Sequence, residues 1–255
     1  MSSVLSKGSR SRAVLAAFGI ALLGFVLALP AGLVVANAYV ALTGNELGDV
    51  AVLGVSMISL QGVAFPLAAW LYIRYRGLSW EYVPFDVPDL SDAKYLFGGW
   101  ILAFVAANVF AQILIAVLST EPAANTGATT ALQNPGIIPY LAVLQILLIG
   151  PGEELLFRGV IQKRLREQFS AWPAILLASA TFAPAHILAL SGGPVAAAIT
   201  ISVLFVPSVV FGYAYEKTQN IAVPALAHGL YNATLFTLMY IAVTYAPEEV
   251  SFLGL

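Results

Sequence analysis

Six polar residues interrupt stretches of sequence that are otherwise apolar. Glu153, Glu154 and Arg158 lie within Ile149-Gly150-Pro151-Gly152-Glu153-Glu154-Leu155-Leu156-Phe157-Arg158-Gly159. His186 closes Phe182-Ala183-Pro184-Ala185-His186, and His228 and Asn232 bracket His228-Gly229-Leu230-Tyr231-Asn232. The set holds both of the chain's 2 histidines. A carboxylate is a general base and can activate water. An imidazole can share that proton or bind a metal. Amide and guanidinium donors can stabilise the oxyanion formed when water attacks an amide carbonyl. Together these groups suit hydrolysis without a covalent enzyme intermediate. Other hydrolytic chemistries lack their parts. The chain has no cysteine, which excludes a thiol nucleophile, a disulfide and a thiolate zinc site. There is no His-Glu-x-x-His zinc motif, no Gly-x-Ser-x-Gly nucleophile elbow, and no aspartate inside an apolar run for an aspartyl dyad.

Spacing refines the reading. Glu154 and Arg158 are four apart, so on a helix they share a face and can pair, and pairing lowers the cost of burying each. Glu153 is turned by about 100° from its neighbour and can point elsewhere. His228 and Asn232 also share a face. Pro151 and Gly152 can loosen the helix just before the acids, as membrane helices allow where neighbours satisfy the freed backbone. A bland reading competes. Arg158 would be a snorkelling anchor with Glu154 as its surface partner, and His228 with Asn232 would be inter-helix glue. That reading explains any one residue better than it explains all of them. An ionisable group inside a span costs roughly 2.5–3.5 kcal/mol on the insertion scale and is rare there unless it functions.

The elements that carry these residues follow from composition. Of 255 residues, 60% are apolar and 9% charged, with mean hydropathy +0.89. Eleven Lys and Arg and 13 Asp and Glu cannot coat a water-soluble fold of this size. A disordered chain would be polar and charge-rich. The net charge of -2 gives no electrostatic case for nucleic acid. The remaining class is an all-α, polytopic transmembrane bundle. A bilayer needs roughly 20 apolar residues per helical span, and seven runs qualify: Ala13–Leu42, Val50–Ile73, Tyr95–Leu118, Ile137–Gln162, Trp172–Leu190, Val195–Tyr215 and Ile221–Tyr245. The first holds Pro30, which predicts a tilt or kink. Lys7, Arg10 and Arg12 precede span one. Arg74, Arg76 and Lys94 lie between spans two and three, Lys163, Arg164 and Arg166 between four and five, and Lys217 between six and seven. The other connections and the tail carry no Lys or Arg. Alternate connections are therefore basic, as the positive-inside rule requires, which puts the N-terminus in the cytoplasm and the C-terminus outside. Met1–Ala38 mimics a signal peptide ending Ala36-Asn37-Ala38, but its apolar stretch exceeds the roughly 7–15 residues of a signal, and we read it as a span. Gly77–Asp92 reads as a cytoplasmic loop. Ser119–Gly136, rich in small polar residues, reads as a mobile external loop without chemistry.

The sequence Glu153-Glu154-x-x-x-Arg158, then Phe182-x-x-x-His186, then His228-x-x-x-Asn232 resembles the three motifs of the CPBP intramembrane proteases. That family includes CAAX prenyl endopeptidases of the Ras-converting type and prokaryotic abortive-infection and bacteriocin-processing proteins. The likeness covers about Ile137 to Tyr240. Spans one to three show no matching motif. The chain divides on this reading into 1–94, the first two spans with their cytoplasmic loop, and 95–255, a bundle with a protease-like core at about 137–240. The resemblance implies Glu153 as the base acting on water, and Glu154 and Arg158 as the acid and arginine that orient a histidine. It implies His186 working with the base, and His228 and Asn232 holding the oxyanion, with Phe182 packing beside them. Glu153, His186 and His228 are also a legitimate zinc set, so hydrolysis with and without metal both stay open.

The expected protein is an integral-membrane endopeptidase, in the plasma membrane of a prokaryote. Its partners would be membrane lipid and a membrane-associated protein or peptide, with the CAAX type as one candidate. Two alternatives use the same residues: a non-catalytic scaffold or immunity protein, and a proton-coupled transporter, for which the expected inverted repeats are missing. Residue counting puts Glu153 about 15 Å from the inner end of span four, and so in the cytoplasmic half. It puts His228 near the cytoplasmic surface and His186 further out. The two histidines would then meet only through a tilt, a late start of span five or a break near Pro224.

Overall fold

Seven helices are long and apolar enough to cross a bilayer in the computed structural model, which describes residues 9–246. Lys7 and the tail beyond Ala246 lie outside the described residues. The helices are Arg10–Thr43, Asp49–Tyr75, Leu90–Leu118, Pro135–Arg166, Ala171–Ala189, Pro194–Thr218 and Ala222–Tyr245, hereafter spans one to seven. Each expected run lies on one of them. Span one continues as helix through Pro30 and through Ala36–Ala38. It buries a narrow stripe of Ala13, Ala17, Ile20, Ala21 and Gly24. Leu15, Leu22, Leu29 and Leu33 on the same helix are exposed, as a lipid solvent permits.

Span four is the hub, touching spans one, two, five, six and seven. Its packing on span six has a fixed register. Arg158 bonds to Ser208, Gln162 to the Gly212 carbonyl and Arg166 to Glu216. Partners that advance together in steps of one helical turn require two parallel helices. That agrees with both spans running from the uncharged face to the basic face.

Spans four and seven meet backbone to backbone. A Cβ on Gly150 would strike the Ala225 carbonyl and come within 2.9 Å of the Gly229 nitrogen. One on Gly229 would lie 2.7 Å from the Ile146 Cα. Gly152 is pressed in the same way against the Gln61 backbone of span two. Small residues at such crossings let membrane helices approach closely. Three stretches near these contacts widen to π-helix: Ile58–Ala64, Gln145–Ile149 and Leu155–Gln162. Such widened turns often accompany functional sites.

Both faces carry more structure than their loops suggest. On the basic side, Asp89 caps span three by accepting from the Ser91 and Asp92 backbone N–H groups. Those bonds and the one from the Ser91 hydroxyl hold its carboxyl below the usual range, the hydroxyl contributing most. Val83 packs on Gly159, and the Pro84 carbonyl accepts from the Ile221 N–H. Burial first, then the neighbouring Tyr72 and Glu167, push the Tyr82 hydroxyl well above its ordinary range, so it stays a donor to Glu167. On the opposite side the expected structureless loop contains a helix, Thr126–Gln133, and Ala124–Asn125 pairs antiparallel with Leu190–Ser191.

The crossing at Gly150 makes a stability prediction. Overpacking a filled contact costs about 1–3 kcal/mol. Gly150→Ala is expected to lower the melting temperature of detergent-solubilised protein. Gly98→Ala is expected to leave it unchanged, because nothing lies within 4 Å of the added Cβ.

Candidate active site

Glu154 and Arg158 are the most deeply buried charges of the site, both at 0% exposure. Arg158 Nε stands 3.2 Å from Glu154 Oε2. Arg158 Nη2 donates to the Ser208 carbonyl and hydroxyl at 2.9 and 3.0 Å, and the guanidinium carbon lies 4.9 Å from the Phe182 ring centroid. The other Glu154 oxygen meets His228 Nδ1 at 2.8 Å. A carboxylate only accepts, so Nδ1 carries the hydrogen, and in the neutral ring a lone pair is left on Nε2. The ring stacks on Phe211, with centroids 4.9 Å apart and planes at 19°. His228 is therefore fixed in tautomer and in orientation.

His228 Nε2 faces Glu153 Oε2 at 3.9 Å. A lone pair and a carboxylate oxygen repel unless a donor stands between them. A water about 2.8 Å from each would donate to both. The other Glu153 oxygen accepts from Gln61 Nε2 at 3.1 Å. Carboxylate chemistry fixes the amide orientation, because the reverse flip would set two acceptors against each other. Gln61 Oε1 is buried and has no hydrogen-bond partner.

His186 opens the last turn of span five, His186–Ala189, with Nδ1 bonded to the Phe182 carbonyl at 3.2 Å. A carbonyl accepts, so Nε2 is left free. His186 and Glu153 line one cavity of about 440 Å³. No hydrogen bond or ion pair joins His186 to either glutamate. Asn232 does not line that cavity. It donates to Gln145 Oε1 at 3.0 Å, tying span seven to span four. The histidines thus share the Phe182 ring, at 4.8 and 5.9 Å between centroids, without touching each other's polar partners. Among the described residues no three His, Asp or Glu side chains are placed to hold a metal ion.

The depth expected from residue counting needs correction. Span seven does not begin at the membrane surface. Asn220, Ile221, Ala222 and Val223 are buried, and Asn220 is held by Asp92 and by the Asp86 N–H. From that buried start the helix Ala222–Tyr245 runs unbroken through Pro224 and brings His228 against Glu154. Glu153 sits 13 residues from Arg166 and 18 from Pro135, so it lies on the basic side of the middle of span four.

The sequence reading missed Gln61, Gln145 and Ser208, which hold Glu153, Asn232 and Arg158 respectively. Two of these are neutral amides inside spans, and that was the available signal.

Residues 135–234 match the family model described as type II CAAX prenyl endopeptidase Rce1-like. The match spans all three motifs and agrees with the resemblance drawn from them. No curated protein and no solved structure matches the chain. The seven helices and the matched segment make this an integral membrane protein.

Breaking a buried pair by removing one partner costs about 3–5 kcal/mol, whereas replacing both can be neutral. Arg158→Met alone is expected to destabilise the detergent-solubilised protein by that order. The double substitution Glu154→Leu with Arg158→Met is expected to recover most of the loss in the same thermal unfolding measurement.

Proposed function

We propose that this chain is an intramembrane endopeptidase that cuts a peptide bond of an apolar, membrane-associated substrate with water activated by Glu153. The family match supports a CAAX-type protease as the kind of enzyme. The observation that carries the mechanism is the bridge geometry. Glu153 is pinned through one oxygen by Gln61, and its other oxygen faces His228 Nε2 across a 3.9 Å gap that only a donor can fill.

In this reading the bridging water loses its proton to Glu153 as it attacks the substrate carbonyl. Glu154, neutralised by Arg158, holds His228 in the tautomer that accepts from that water. His186, anchored by its Nδ1, turns Nε2 toward the substrate and serves the oxyanion or the leaving amine when protonated. Asn232 acts at one remove, fixing the helix that carries His228. No step passes through a metal. The scaffold alternative loses ground because a packing role does not explain the open cavity beside Glu153.

General-base catalysis contributes about 10²–10⁴-fold. Glu153→Gln is expected to lower cleavage of a prenylated or apolar test peptide by that factor in proteoliposomes, without loss of folded protein. Gln61→Leu removes one charge-assisted hydrogen bond, of order 1.5–3 kcal/mol. It is expected to lower kcat by about 10–100-fold while KM stays nearly constant. Wild-type rates in both variants would remove Glu153 as the base.

Chelation separates the two hydrolytic routes. Activity is expected to survive prolonged treatment with phenanthroline and EDTA. Loss on chelation, restored by zinc, would overturn the metal-free mechanism.

A further inference from the structure

Four phenylalanines, one each from spans one, two, four and five, join edge to face beside Glu153. Centroid distances are 5.5 Å for Phe25–Phe65, 5.7 Å for Phe65–Phe157 and 5.0 Å for Phe157–Phe182. All four line the catalytic cavity. From each of them the other lining residues lie on one side only. On span one they follow Phe25, reaching Gly32. On span two they precede Phe65, from Gln61 back to Val55. On span four Glu153 precedes Phe157, and on span five they follow Phe182 as far as Ala189. Spans one and five run away from their basic ends, and spans two and four run toward theirs. Opposite chain directions therefore give one direction in space, away from the basic loops. Thr126, from the short helix on the far side, completes the rim.

The basic side is closed beneath the aromatic floor. Ile73, Ile161 and Leu165 fill the interior there at 1% exposure or less. Val83 is wedged onto Gly159, and Glu167 collects Tyr82, Arg76 and Arg164. A second hollow of about 370 Å³ does open at that face, beside Lys163 and Arg166. It shares no lining residue with the catalytic cavity.

We infer that the site is entered from the membrane face opposite the basic loops, the external face by the positive-inside rule, by an extended uncharged segment of a membrane-associated peptide. This rests on the hydrolase reading for its chemistry, but the route rests on geometry alone. The lining explains the occupant. Glu153 is its only Asp, Glu, Lys or Arg. The Ser56 and Ser59 hydroxyls are spent on their own helix, on the Val52 and Val55 carbonyls. Beyond a single charge that Glu153 could meet, a charged segment would be desolvated there without a partner. A peptide displayed only at the cytoplasmic surface would meet the closed side.

The absence of cysteine makes the test direct. Ser56→Cys and Ala185→Cys place single thiols in the cavity, outside the proposed machinery. Asn45→Cys and Ser79→Cys mark the two faces, in the connection between spans one and two and in the basic loop. A membrane-impermeant maleimide is expected to modify both cavity thiols in right-side-out vesicles, together with Asn45→Cys. In inverted vesicles it is expected to modify Ser79→Cys alone. Modification of the cavity thiols from the basic face, from both faces or from neither overturns the route. An uncharged test peptide is expected to protect Ala185→Cys from the label, and a lysine-rich analogue is not; equal protection by both overturns the occupant. Labelling needs no cleavage, so a failed protease assay and a failed access route remain separate results.

Discussion

A carboxylate and a guanidinium with no exposure to solvent, inside a bundle that itself sits in lipid, must be satisfied by the protein alone. The Glu154–Arg158 pair sets that constraint, and much of the architecture answers it. Each charge has a further partner on a different helix: His228 on span seven for the acid, Ser208 on span six for the base. The pair therefore fixes the heights of three helices at once. An isolated charge at this depth costs several kcal/mol, so slippage of any one helix by a turn would leave an uncompensated ion. The glycine contacts between spans four and seven serve the same end, since a 2.8 Å bond between short side chains requires helices that nearly touch at their backbones.

That constraint also separates the two neighbouring glutamates. Glu154 is consumed by structure: both of its oxygens face fixed partners. Glu153, one residue on and rotated by about 100°, has one oxygen on a neutral amide and the other on a gap. Identical side chains thus acquire different tasks from the direction in which the helix aims them. The rigid acid orients the imidazole, and the imidazole faces the freer acid across a gap of 3.9 Å.

Much of this was legible in the residues. Continuous apolar runs fixed the number of spans, and alternation of Lys and Arg gave their directions, which the parallel register of spans four and six supports. The four-residue spacing of Glu154 and Arg158 announced their pairing. What escaped notice had physical reasons. Gln61 and Gln145 carry no charge, so a search for ionisable groups passed over them, although an amide buried in a span demands a partner almost as firmly. The height of His228 escaped because residue counting assumes that a span starts at the membrane surface. Span seven starts on a buried turn held by Asn220, a tertiary contact to Asp92 in the first turn of span three, 128 residues away.

Gln61 ties the first two spans to the site. The family match and all three motifs lie in residues 135–234, and the first two spans show no motif at all. Yet span two supplies the donor on the Glu153 carboxylate, and spans one and two form one wall of its cavity. The conserved chemistry of a motif can be recognised in a hundred residues because only a few side chains touch the reacting atoms. The wall that selects what reaches them answers to size, polarity and direction of approach, and many apolar sequences meet those demands. Spans one and two are thus part of the cavity in space without leaving a signature in sequence, and they lie outside the segment that the family model matches.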